Sequence, residues 1–323
     1  MAVVAGGGVV SKNRSALRNH LEFSAFQVAR GLSGLLSPRA LARVGDVVGN
    51  IYSLTGGRRR QIIDFNLALA FPEKTDAERR QLARAVTRHF GRSGLDTIRI
   101  QRLRPEELLA AVEIRGWENV ERALSYGRGV FFLTAHIGSW EVAALVTGLK
   151  VEAGLSVVNR PLDNPLLEVE LDRLRKLYGN HVFGKHNILR EMLTQLKKGG
   201  GVGILIDQRV AEDKGIEVPF FGYPAWTHPI LARVARKTGA PVVPVFALRE
   251  APGRYSLHYE EPLMVEDLTE AEREDVPLTA SYMVVLEAAI RENPDQWLWY
   301  HDRWKQLRLG TQTQKNEELG IRN

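Results

Sequence analysis

The stretch that most constrains this chain is Val130 to Ala135, reading VFFLTA. It is apolar but for one threonine, carries β-branched and aromatic residues, and is bounded upstream by Gly127 and Gly129. A strand buried on both faces has this composition, and such a strand requires helices on both sides of its sheet. Periodicity by itself does not separate so short a run from a buried turn of helix. The run stops at His136; Gly138 and Ser139 permit a change of direction, and WEVAALVTGL resumes with helical character. A titratable residue between a buried strand and a helix falls at the carboxyl edge of a sheet, where open α/β folds assemble their sites.

The interval from His136 to Glu141 adds chemistry. Within one continuous helix, that spacing puts two side chains about 140° apart around the axis, too far to meet. With His136 in the turn and Glu141 in the first helical turn, the carboxylate can fold back on the imidazole. It would hold one ring nitrogen protonated and leave the other to accept a proton, as a neutral hydroxyl nucleophile requires near pH 7. A lone H-x4-E is more often a structural turn histidine with a surface glutamate. The strand, the glycine turn and the motifs further along favour the functional reading.

The rest of the chain extends this pattern. Leu21 to Leu36 places Leu21, Ala25, Val28, Ala29, Leu32, Leu35 and Leu36 on one helical face. Ser37-Pro38 starts a second helix with Leu41, Val44, Val48, Ile51 and Tyr52, and Arg58-Arg59-Arg60 follows. Amphipathic helices most often pack on their own domain; this pair with its arginines reads as an interfacial membrane attachment against anionic lipid. No run of about 20 uninterrupted apolar residues is present, so a plain transmembrane helix is not predicted. MAVVAGGGVV lacks a basic leader and a cleavage site and is not read as a signal peptide. Thr75-Asp76-Ala77-Glu78 is a capping box for a helix running towards Ile100. Further strands are predicted at Val112 to Arg115, Leu155 to Asn159, Val202 to Ile206, Val242 to Leu248 and Tyr255 to Glu260, with a helix from Asn164-Pro165 to Tyr178.

Polar residues recur at the strand ends. Arg160 follows one strand and would point to the rim that holds His136, able to grip a phosphate through two parallel hydrogen bonds. Asp207 and Gln208 follow another. Gly199-Gly200-Gly201 precedes a strand and lacks a following Lys-Ser/Thr, so it is a poor phosphate loop.

Taken together, H-x4-E, NRPLDNPLL (Asn159 to Leu167), Ile206-Asp207-Gln208, PFFG (Pro219 to Gly222), TGAPVVPV (Thr238 to Val245) and WLWYHDRWK (Trp297 to Lys305) resemble one family. It is the late acyltransferases of lipid A biosynthesis, relatives of the H-x4-D glycerolipid acyltransferases, and the resemblance runs from about Arg58 to Lys305. It implies an α/β fold, a central mostly parallel mixed sheet flanked by helices, with an N-terminal helical membrane-associating segment. The expected organisation is a mobile N-terminus (1–20), a helical membrane-associating region (21–110), an α/β acyltransferase domain (111–310) and a polar tail (311–323). The implied reaction moves a fatty acyl chain from an acyl carrier protein or coenzyme A thioester to a hydroxyl of a lipid A precursor or another glycolipid, such as mannosylated phosphatidylinositol. His136 would be the base and Glu141 its orienter, with Arg160, Arg175, Asp207 and Gln208 binding substrate. Backbone N–H groups around Gly138 and the helix start would hold the oxyanion. PFFG would form a wall of an acyl groove, and the tryptophans of WLWYHDRWK either core or an interfacial belt.

No cofactor or metal is expected: His136, Asp207 and His228 fall in no H-x-H or H-E-x-x-H arrangement. The net charge of +6 suits an acidic partner, and anionic membrane lipid, a phosphorylated glycolipid acceptor or an acidic carrier protein meets it. Nucleic acid is not expected, for no recognition motif is evident. With no cysteine there is neither disulfide nor thiolate site. A peripheral or monotopic place on the cytoplasmic face of the inner membrane follows from the resemblance. A non-catalytic basic membrane-surface protein would explain the N-terminus but not His136, Arg160 and Asp207.

Overall fold

The computed structural model describes residues 15–55, 57–158, 162–183 and 187–318. Four helices come first: α1 (Ala16–Leu35), α2 (Pro38–Thr55), α3 (Gly57–Ala70) and α4 (Asp76–Ile100). Ser15 caps α1 by accepting the Arg18 amide, so residues 16–20, expected within a mobile N-terminus, are helical. Thr75 and Glu78 form the expected reciprocal capping box of α4. Helices α2 and α4 come together backbone to backbone at Gly45 and Gly91; a Cβ on Gly91 would strike the Gly45 carbonyl.

The alternation follows: α5 (Pro105–Ala110), β1 (Val112–Arg115), α6 (Trp117–Ser125), β2 (Val130–Thr134), α7 (Trp140–Lys150), β3 (Leu155–Val157), α8 (Pro165–Arg175), β4 (His181–Val182), α9 (Ile188–Lys197) and β5 (Gly201–Leu205). A hairpin, β6 (Ile216–Phe220) and β7 (Tyr223–Thr227), leads to α10 (Ile230–Thr238), β8 (Val242–Ala251), β9 (Arg254–Tyr259), α11 (Asp275–Glu292) and α12 (Lys305–Glu318). The polar tail expected from residue 311 begins inside α12.

The seven-stranded sheet is ordered β1-β9-β8-β2-β5-β3-β4. Strands β8, β2, β5, β3 and β4 are parallel, and β9 with β1 runs against them. It is an α/β fold with a mostly parallel mixed sheet. Alternate residues feed two cores: Phe131 and Leu133 of β2 pack with Val202, Ile204 and α11 on one face, Val130 and Phe132 with α6 and α7 on the other. Every residue of β2 is buried, as its composition requires.

PFFG is not a loop. It closes β6 onto β7, with Phe221 at φ 52° and Gly222 at φ 77°, the pair of positive angles a tight two-residue hairpin turn demands. Phe220 and Phe221 are buried against Trp297, Trp299 and Trp304, themselves at most 1% exposed. Both aromatic segments are therefore core, and neither an acyl-groove wall nor an interfacial belt. Hydrophobic burial of this size, about 25 cal/mol per Å² of apolar surface, governs where such rings settle.

Candidate active site

Register brings the site together. Strands β2 and β5 are parallel neighbours with Thr134 opposite Leu205. His136 and Asp207 lie two residues beyond those partners, so both emerge side by side at the carboxyl edge. Asp207 is buried, 1% exposed, while the His136 side chain keeps 22% of its surface. Asp207 Oδ1 accepts from His136 Nδ1 at 2.8 Å, and Oδ2 accepts the His136 backbone N–H at 2.9 Å and the Trp297 indole N–H at 2.8 Å. Burial alone would raise the Asp207 pKa; the facing imidazole and these hydrogen bonds outweigh it and bring it down to about 2. The carboxylate is therefore ionised and accepts only, which assigns the proton to Nδ1 and leaves Nε2 as the free base. Gln208 caps that nitrogen, its amide Nε2 lying 3.2 Å from His136 Nε2.

The turn after His136 is clamped. Gly138 sits at φ 59°, and any Cβ there would run into the Ala247 carbonyl. Its N–H donates to Gln296 O at 3.0 Å and the Ser139 N–H to Ala247 O at 2.8 Å, so neither is available to an oxyanion. The amides of Trp140 and Glu141, first in α7, are the ones a helix leaves unpaired at its start, and they remain the oxyanion candidates.

A buried carboxylate against a part-exposed imidazole, at the ends of adjacent parallel strands, is an arrangement able to take a proton from a hydroxyl. The sequence matches the family described as bacterial lipid A biosynthesis acyltransferase over residues 11–306.

This chain belongs to that family.

Among its relatives, the lipid A biosynthesis lauroyltransferase of Escherichia coli K12 is 30% identical over 81% of this chain and 84% of its own. The palmitoleoyltransferase of the same organism is 28% identical over 78% of this chain and 81% of its own. A solved 1-acyl-sn-glycerophosphate acyltransferase from Thermotoga maritima aligns with 81% of this chain and all of its own, at 14% identity and a TM-score of 0.37. That last likeness is too distant for any detail to be carried across.

In this acyltransferase the carboxylate against the ring is Asp207, which corrects the expectation for Glu141. Glu141 is buried in the first turn of α7 and faces α8 instead. Arg175 Nη2 donates to its Oε1 at 2.7 Å, Arg175 Nε to both oxygens at 3.2 Å, and the Trp140 indole to Oε1 at 3.2 Å. Among the described residues no hydrogen bond joins Glu141 to His136. Glu141 and Arg175 instead tie α7 to α8, while Trp140 packs edge-on to the His136 ring at 5.1 Å. Arg175, expected on a substrate, has committed two of its three nitrogens to Glu141; its Nη1 is buried without a partner. Asp207 is too deeply buried to touch substrate. Arg160 lies outside the described residues. His228 does not join the site: its Nδ1 accepts the Ile230 N–H at 3.1 Å.

The segment from Trp297 to Trp304 contributes more to the acyltransferase site than its motif foretold. Leu298 N–H donates to His136 O at 3.0 Å, and His301 Nε2 accepts the Arg209 N–H at 2.8 Å, fixing the turn that carries Asp207 and Gln208. Burial and then the charge of Arg303 hold the His301 pKa down to about 4, so the ring is neutral and free to accept. Arg303 is wholly buried and donates to Trp226 O at 2.6 Å and Thr227 Oγ1 at 2.5 Å. Burial brings its pKa to about 10, while the Asp207 charge acts to keep it protonated. From the other side, His89 of α4 lies 3.3 Å from Gly138 O and 3.0 Å from Ser93 Oγ. Trp297 and His301 fall within the WLWYHDRWK motif, though without a role assigned to either; nothing local marks His89. A groove of about 540 Å³ between β3, β4 and α9 is lined by Ser156, His181 and Arg190 and includes no residue of the dyad.

Proposed function

We propose that this acyltransferase moves a fatty acyl chain from an acyl thioester of acyl carrier protein or coenzyme A to a hydroxyl of a lipid A precursor, at the cytoplasmic face of the inner membrane. The observation that carries the chemistry is the His136–Asp207 pair with its outward Nε2. Nε2 takes the hydroxyl proton as the oxygen attacks the thioester carbonyl, and the imidazolium then protonates the departing thiolate. Asp207, ionised and buried, stabilises that imidazolium and holds the tautomer; general-base help of this kind is worth about 10²–10⁴-fold. Transfer is direct, with no acyl-enzyme. The acceptor rests on family membership and on the relatives, whose names are those of lipid A acyltransferases.

Membrane attachment is supported by the first two helices. Leu21, Val28, Leu32 and Leu35 of α1, and Val47, Val48, Ile51 and Leu54 of α2, are 40% to 87% exposed. Arg58 and Arg59 beside them are exposed as well. No helix among the described residues is long and apolar enough to cross a membrane. An apolar surface with cations at its border suits a helix pair lying in the headgroup region.

The test is transfer by the purified protein from acyl carrier and acyl-coenzyme A donors to a panel of lipid acceptors. His136→Ala is expected to lose about 10²-fold or more. Full transfer by that variant would end the proposal.

A further inference from the structure

The cap on His136 suggests more than a resting contact. We propose that Gln208 is a gate that suppresses hydrolysis of the acyl donor, a latent second activity of the same dyad, and opens only for an acceptor hydroxyl. The inference rests on His136 being the base.

With Nδ1–H given to Asp207, Nε2 carries the only lone pair that can activate a nucleophile. The neighbour shown at that nitrogen is the Gln208 amide, 3.2 Å away. Its backbone is held on both sides, by buried Asp207 before it and by the Arg209 N–H bond to His301 after it. With the backbone so fixed, it is the Gln208 side chain that must swing to uncover Nε2. Water reaches the ring, which is 22% exposed at the side chain, and water is the most abundant hydroxyl in the cell. Uncapped, the dyad would run a simple hydrolysis. The water oxygen bonds to the acyl carbon, the carbon–sulfur bond breaks, Nε2 takes a proton from water and returns it to the thiolate, leaving a fatty acid and a thiol.

A water molecule brings nothing else to displace the amide. A bulky amphipathic acceptor does, because contacts remote from the reacting hydroxyl drive the exchange. Once Nε2 is protonated, a half-turn of the same amide presents its carbonyl to the new N–H, so Gln208 can serve both protonation states.

The experiment compares acceptor-free hydrolysis and acyl transfer in the full chain, with lauroyl-coenzyme A and lauroyl-acyl carrier protein as probes, and folding checked by circular dichroism. Gln208→Ala is expected to raise hydrolysis about tenfold, the worth of one hydrogen bond near the upper end of its usual range. The ratio of transfer to hydrolysis falls correspondingly. Gln208→Glu places an anion on Nε2, favours the imidazolium, and is expected to shift the rising limb of the pH–rate profile upward by about one unit. Hydrolysis by Gln208→Ala at or below the wild-type rate, or undetectable in both, overturns the gate, leaving Gln208 at most an acceptor contact. The gate also falls if the Gln208→Glu profile coincides with the wild type. The double variant His136→Ala/Gln208→Ala should lose the extra hydrolysis. If it does not, or if His136→Ala alone transfers normally, the base assignment fails and the gate with it; unchanged hydrolysis by Gln208→Ala beside an inactive His136→Ala overturns the gate alone.

Discussion

Replacing Asp207 by asparagine tests the tautomer argument most directly, because the two shapes are the same and only the hydrogen-bonding sense changes. Asp207 accepts three bonds: Oδ2 faces two N–H donors, from the His136 backbone and the Trp297 indole, and Oδ1 faces His136 Nδ1. An asparagine keeps its carbonyl on the two donors, since turning its NH₂ towards them would oppose donors twice in a buried site. The NH₂ then meets Nδ1, which must accept, and the ring proton moves to Nε2. A protonated Nε2 cannot take a proton from a hydroxyl. The whole general-base contribution is lost, about 10²–10⁴-fold, or about 3–5 kcal/mol in the barrier. The loss is expected in kcat with KM little changed, because Asp207 is buried beneath the ring rather than against substrate. The assay is steady-state transfer by Asp207→Asn beside Glu141→Gln, with folding verified by thermal melting. Glu141→Gln breaks the pair with Arg175 and is expected to lower the melting temperature more than it lowers kcat. Were Asp207→Asn to stay within about threefold of wild type while Glu141→Gln lost the full factor, the carboxylate assignment would be reversed.

Two further outcomes follow from burial. His89 and His301 are kept neutral in the fold, burial being the first cause in each, with pKa values of about 3 and about 4 against an ordinary 6.5. Below about pH 6.5 the unfolded chain binds two protons that the folded chain refuses, so stability falls with pH towards about 4, by up to about 2–3 kcal/mol per unit; urea midpoints level from pH 7 to about 4.5 would contradict this. Asp207, with its depressed pKa, works in a lower window: its contribution is present above 3.8 and lost as pH falls through about 2. At the membrane surface, Ile51→Glu and Leu54→Glu, at positions 56% and 87% exposed, are expected to weaken binding to anionic vesicles about tenfold each. Sedimentation with vesicles at wild-type levels would remove α2 from the attachment surface.

What could be read from the chain is what local chemistry decides. The both-face burial of β2, the Thr75 capping box, the helix opened by Asn164-Pro165 and the mixed α/β class are each written within a few residues. His136, Asp207 and Gln208 were visible as polar residues stopping apolar strands, and their coming together needed only that β2 and β5 be neighbours. Which carboxylate meets the imidazole was not visible. Proximity in sequence favours Glu141, five residues on, but a side chain in the first turn of α7 is aimed at whatever packs there, and Arg175 at the end of α8 packs there. Asp207, 71 residues away, reaches the ring because parallel register sets both at the same step past their strands. The same holds for Trp297, His301 and His89, whose roles arise where distant segments close on the β2 and β5 ends. The sequence by itself determined a buried strand ending in a histidine within an acyltransferase family; the tertiary fold decided the partner of that histidine, since pairing across a sheet depends on strand order and register, which no local pattern carries.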